Sequence, residues 1–132
     1  MINSVLSIYQ TRFSNKDAAL HCEITVGETL PCPDIAICTI LSNALENSMH
    51  ALTHVPSAER WAKLTISTKG EHLLLACENP VQKIPRFVDG IPTSSQKGHG
   101  IGVKSIVYYV EQLNGQCHFS VSDHTFILRI II

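Results

Sequence analysis

A two-layer α/β sandwich, with a mixed, mostly antiparallel sheet covered on one face by three helices, is the α+β fold class this sequence predicts. Three observations lead there. The element order reads α, β, α, β, β, long loop, α, β, β; two strand pairs are joined by short turns of the antiparallel hairpin kind; and three amphipathic helices need one apolar sheet face to cover. With 132 residues, 45% of them hydrophobic and 16% charged, residues 1–132 form a single domain.

From Ile2 to about Phe13, the pattern Val5, Leu6, Ile8, Tyr9 and Phe13 predicts an amphipathic helix. It has no capping residue ahead of it, so the chain reads as a piece of something longer. Ala19 to Val26 alternates as a strand through Leu20, Cys22, Ile24 and Val26, and Gly27-Glu28 ends it. Pro31-Cys32-Pro33-Asp34 then prepares a helix to about Leu52, the aspartate placing negative charge at the positive end of the dipole. Trp61 to Thr68 and Glu71 to Glu78 read as a hairpin turning at Lys69-Gly70, with Asn79-Pro80 as its stop.

The stretch from there to Lys97 is rich in proline and serine, shows no stable periodicity and reads as a loop. Loops of that length in compact domains are commonly binding lids or disordered inserts. Val103 to Leu113 is the third helix, stopped at Asn114-Gly115. Gln116 to Val121 and Thr125 to Ile132 close the chain as a hairpin around Ser122-Asp123.

Ten basic and eleven acidic residues leave a formal charge of -1, which excludes a broad basic face for nucleic acid or for an anionic membrane. No apolar run reaches the roughly 18 to 20 residues of a membrane span, and the N-terminus has no signal-peptide pattern. The expectation is a soluble, cytoplasmic domain without nucleic-acid partner or direct membrane contact. Cys22, Cys32, Cys38, Cys77 and Cys117 are scattered and odd in number, the pattern of reduced, buried structural thiols rather than of a disulfide framework or zinc knuckle.

Two motifs carry chemistry. Gly98-His99-Gly100-Ile101-Gly102 places three glycines at alternate positions before the third helix. Without Cβ atoms on that side of the backbone, amide N–H groups can close on an anion such as a nucleotide phosphate at the helix N-terminus, although glycines before a helix also make ordinary turns. The G-x-G-x-G pattern lacks the βαβ setting of a dinucleotide fingerprint and does not match a P-loop. On the second helix, Ile37, Ile40, Leu41, Ala44, Ser48, Ala51 and Leu52 share one arc, and Asn43 and Asn47 sit one turn apart at its edge. Asparagine is a mediocre helix former, so the pair reads either as locally bonded amides or as a site in which Asn47 offers an amide oxygen to Mg²⁺.

Asn43-x-x-x-Asn47 on a helix, a strand ending in Glu78-Asn79-Pro80, a loop, and the glycine run before another helix together resemble the ATP-binding (GHKL, Bergerat-fold) domain of sensor histidine kinases. The wider group includes gyrase, Hsp90 and MutL. The likeness covers nearly the whole chain, and the short lid and Asn-Pro are most similar to the quorum-sensing, Agr-like and VirS-like branch. The resemblance implies that Asn47 binds the Mg²⁺ bridging the ATP phosphates and that Asn43 lines the site or orients water, the two being the catalytic asparagines. It implies that Gly98, Gly100 and Gly102, with His99 and Ile101 between them, bend the end of the lid and bring amides to the phosphates. His50 stands where many relatives put a basic residue near the phosphates, and Lys97 or Lys104 would help neutralise them. The D-x-G-x-G aspartate that recognises adenine in most relatives is absent; Asn79 stands near its place and would contact the base through its amide.

Phosphoryl transfer of this kind needs in-line positioning and charge neutralisation, with little covalent help from the protein. The nucleophile in such kinases is a histidine on a separate dimerising helical hairpin, and no such hairpin is present in these residues. The resemblance therefore implies the catalytic fragment of a longer, membrane-anchored bacterial kinase of a two-component system, with a response regulator downstream. Two other classes share the fold: a partner-binding or regulatory module with weak or no nucleotide affinity, and a serine kinase of the anti-sigma-factor type. Among the remaining candidates, His50 and His54 at i, i+4 lack a third ligand and read as helix-end cations. Ser94 and Ser95 have no readable Asp/His partners, and Glu46 points away from Asn43 as a surface residue.

Overall fold

The computed structural model describes residues 1–93 and 101–132, Ile101 by its backbone alone. A five-stranded sheet of order β1-β2-β3-β7-β6 carries three helices on one face. Strand β1 (Ala19–Thr25) pairs in parallel with β2 (Trp61–Lys69), and helix α2 (Asp34–Leu52) with the 3₁₀ turn Ser57–Glu59 makes the crossover between them. The other neighbours in the sheet, β2 with β3 (His72–Pro80), β3 with β7 (Thr125–Ile131), and β7 with β6 (Gln116–Ser122), are antiparallel.

Helix α1 (Ile2–Ser14) buries Leu6, Tyr9 and Phe13, an i, i+3, i+7 stripe. Ile8, expected on that face, is 58% exposed, because it lies about 200° round the helix from Leu6. Helix α2 buries a wider arc than predicted: Leu45 and Met49 join Ile37, Ile40, Leu41, Ala44, Ser48 and Leu52, while Ala51 stays half-exposed. The reason is position. Helix α2 packs between α1 and α3 (Ile101–Gln112) and also against β3, so three of its sides are covered. Helix α3 contributes Ile106 and Val110, both fully buried, and the sheet answers with Ala62, Leu64, Ile66, Leu73, Leu75, Leu128 and Ile130.

Three local predictions are corrected. Strand β3 does not stop at Asn79 but runs through Pro80, which pairs with Thr125. Leu73 and Val81 donate their N–H groups to the carbonyls of Ile132 and His124 on the β7 side, so the even-numbered residues of β3 direct theirs toward β2. Pairing with β2 ends at Glu78, and the N–H that proline lacks falls where no ladder partner remains. The long segment read as a loop contains a small hairpin, β4 (Arg86–Val88) with β5 (Ile91–Thr93), turning through Asp89 at φ 52° and Gly90 at φ 77°. The last hairpin turns at Asp123-His124, φ 50° and 57°, one residue later than expected. Two positive φ values in a two-residue loop match the twist of the flanking strands.

Helix α3 begins at Ile101, two residues before the predicted start, and Asn114 at φ 57° forms its left-handed cap. Gly115 is required by close approach: a Cβ there would stand 2.5 Å from the Ile131 carbonyl oxygen. All five cysteines are free, and Cys77 is buried as expected. The other four are only half-buried, Cys22, Cys32 and Cys117 at the margins of the core. Among the described residues no helix is long and apolar enough to cross a membrane.

Candidate functional site

The C-terminal half of α2 with His54 just beyond it, the segment Val81 to Pro85, strand β5, the start of α3 and Phe126 of β7 line a cleft of about 180 Å³, open to solvent. Val81, Val103 and Phe126, each at most 8% exposed, give it an apolar base. Asn47, His50, His54, Gln82, Lys83 and Thr93 supply polar groups, and no carboxylate is among the described lining residues. Such a surface accepts a flat apolar ring at its base and an anion at its rim.

The predicted residues separate on inspection. Asn47 lines the cleft, half-buried. Asn43, one turn earlier, does not: its Nδ2 donates to the Thr39 carbonyl at 3.0 Å, the locally bonded arrangement open to a mid-helix asparagine. Its Oδ1 faces α3, where a Cβ on Gly102 would stand 3.5 Å away. Asn43 and Gly102 thus meet at the contact of two helices. His50 lines the cleft and is exposed, its ring edge-on to that of His54 with centroids 5.9 Å apart. Lys97, Gly98, His99 and Gly100 lie outside the described residues, as do Ser94 and Ser95. Ile101 opens α3.

Asn79 does not line the cleft and is 1% exposed. Its Nδ2 donates to the Pro80 carbonyl at 3.0 Å, and its Oδ1 accepts from Ser48 Oγ at 2.9 Å. A carbonyl oxygen only accepts, so the amide nitrogen must face Pro80 and the orientation of the side chain is determined. Ser48 Oγ also lies 3.4 Å from Cys77 Sγ. Burial, against a smaller opposing effect of the Ser48 hydrogen bond, pushes the Cys77 thiol up to about 11.

Glu46, adjacent to Asn47, turns to α1. Its Oε1 accepts from the Tyr9 hydroxyl at 3.0 Å and pairs with Arg12, whose guanidinium carbon stands 5.0 Å from the centre of the Tyr9 ring. Burial first, then the hydrogen bond to Glu46, pushes the Tyr9 phenol up. Glu46 is exposed, as expected of a surface residue, and it also braces α1 against α2.

Sequence reasoning did not single out Lys83, Gln82 or Ser48 for the site. Ser48 carried a signal, since a hydroxyl inside an apolar arc must find a buried partner. Lys83 had none, because its place depends on how the segment after β3 folds back toward α2.

The family model described as GHKL domain matches residues 34–132. No curated protein matches the chain. Among solved structures, the Acinetobacter baumannii histidine kinase AdeS is 16% identical with a TM-score of 0.66, over 99% of this chain and 64% of AdeS. The nucleotide-free catalytic domain of histidine kinase ThkA is 14% identical with a TM-score of 0.72, over 99% of this chain and 88% of that one. The mycobacterial sensor histidine kinase MprB is 18% identical with a TM-score of 0.65, over 99% and 91%. At such identities the likeness is one of fold, and the chain spans just under two thirds of AdeS.

Proposed function

Because the chain belongs to the GHKL domain family, we propose that it is the ATP-binding catalytic domain of a bacterial sensor histidine kinase, of the quorum-sensing Agr-like and VirS-like branch. It binds Mg-ATP and passes the γ-phosphate to a histidine on a dimerisation domain of the same parent kinase, from which a response regulator takes it. The parent is membrane-anchored and this domain cytoplasmic.

The observation that carries the reading is Asn47 in a cleft with an apolar base and no carboxylate among its described lining residues. The donor set fits Mg²⁺ held mainly by phosphate and water: among the described residues no group of three or more His, Cys, Asp or Glu converges, and Asn47 offers a neutral amide oxygen. The ion, when bound, supplies charge neutralisation for phosphoryl transfer. The chain's own part is to position. Val81, Val103 and Phe126 take the base, Asn47 orients the phosphate end, and His50 adds a donor at the rim. Asn43 supports the α2–α3 contact with Gly102, and the amides from Gly98 to Gly102, with Lys97 and His99, meet the phosphates. Asn79 orders the strand behind the base pocket through Ser48.

Thermal unfolding with and without Mg-ATP tests this. A ligand of the folded state at one hundred times its dissociation constant adds about 2.7 kcal/mol, a midpoint shift of several degrees. No shift at millimolar Mg-ATP overturns the reading. Asn47→Ala should remove the Mg²⁺-dependent part of the shift.

One observation favours a second reading. Asn79 is buried and bonded within the protein, with no carboxylate among the described lining residues to mark adenine. A GHKL-fold partner-binding or regulatory domain with weak nucleotide affinity would give no shift in that experiment. An anti-sigma-type serine kinase would bind ATP but yield acid-stable phosphate on its acceptor, where phosphohistidine is acid-labile.

A further inference from the structure

Lys83 stands in a segment held at both ends. Val81 N–H donates to the His124 carbonyl at 2.8 Å on one side, and Pro85 leads into β4 on the other. The backbone is thus fixed beside the cleft while the exposed side chain keeps its freedom. The ion pairs among the described residues, Arg12 with Glu46 and Lys63 with Glu23, leave Lys83 without a carboxylate partner. Nor does any described lining residue carry negative charge to compete for it. The cleft therefore has hydrogen-bond-donating side chains from two sides, His50 on α2 with His54 just beyond its end, and Lys83 on the segment that follows β3. A compact ammonium placed this way is suited to phosphate oxygens.

We propose that Lys83 is a phosphate-binding residue of the cleft, contacting the phosphate chain of the bound nucleotide from the segment after β3. This rests on the ATP reading above.

Calorimetric titration of the purified chain with Mg-ATP and, separately, with adenosine tests it, using wild type, Lys83→Met, Lys83→Arg and Lys63→Met. The last variant removes the same charge from a lysine outside the cleft. Lys83→Met should weaken Mg-ATP about tenfold while leaving adenosine within about twofold; Lys83→Arg should restore most of the loss, and Lys63→Met should match wild type. Unchanged Mg-ATP affinity in Lys83→Met overturns the inference. So does an equal loss of ATP and adenosine, which would place the side chain on the nucleoside, or an equal loss in Lys63→Met, which would make the effect one of net charge. Wild type that binds neither ligand overturns the nucleotide reading itself, and Lys83 with it.

Discussion

Ser48 on α2 donates its hydroxyl to the amide oxygen of Asn79 on β3 at 2.9 Å, with both side chains 1% exposed. This is a hydrogen bond between the helix that carries Asn47 and a central strand of the sheet. Ser48→Ala leaves the Asn79 oxygen buried without its donor, so it should cost roughly 1 to 3 kcal/mol in urea unfolding. A double-mutant cycle with Asn79→Ala should return a coupling within roughly 0.5 to 3 kcal/mol. Additive effects would mean the two side chains do not interact.

Cys77 makes stability depend on alkaline pH. Its folded pKa of about 11 lies above the ordinary thiol value of 9.0, so between them the unfolded chain ionises and the folded one does not. Stability is therefore retained below the lower value and falls as pH rises toward the upper, by about 1.4 kcal/mol per unit. Urea unfolding of wild type and Cys77→Ala from pH 8 to 10.5 should show a shallower decline in the variant.

The brace between α1 and α2 divides unequally. Arg12 and Glu46 are 43% and 47% exposed along their side chains, so Arg12→Ala should cost no more than about 1 kcal/mol and lose that effect in high salt. Tyr9, which is 6% exposed, should cost about 1 kcal/mol as Tyr9→Phe, largely insensitive to salt. Denaturant midpoints at low and high ionic strength separate the two.

Two glycines should respond in opposite directions. At Gly102 a Cβ meets Asn43 only at ordinary contact distance among the described residues, so Gly102→Ala should leave the Tm unchanged or raise it through helix propensity, by up to about 1 kcal/mol. At Gly115 the new Cβ would stand 2.5 Å from the Ile131 carbonyl. Gly115→Ala should therefore lower the Tm by several degrees as α3 and β7 move apart. A stable Gly102→Ala variant that no longer binds Mg-ATP would show that this glycine serves the ligand.

Much of the fold could be read because its signals are local. Period-two and period-3.6 patterns between clear turns put the large elements within a few residues of where they lie. The β4–β5 hairpin was missed although Asp89-Gly90 is a strong two-residue turn signal, because Pro85 and Pro92 on either side suggested irregular chain. The width of the buried arc on α2 was not legible, since it depends on α1 and α3 packing on either side. The place of Asn47 at the edge of that arc followed from helix geometry alone. The burial of Asn79 did not, since Ser48 reaches it across 31 positions of sequence.

Glu46 and Asn47 are consecutive, about 100° apart around one helix. One is gripped by Tyr9 and Arg12 of the opening helix, and the other lines the cleft. A rigid roll of α2 would therefore turn both residues through the same angle, the one in the grip of α1 and the other in the cleft, because they are neighbours in the chain.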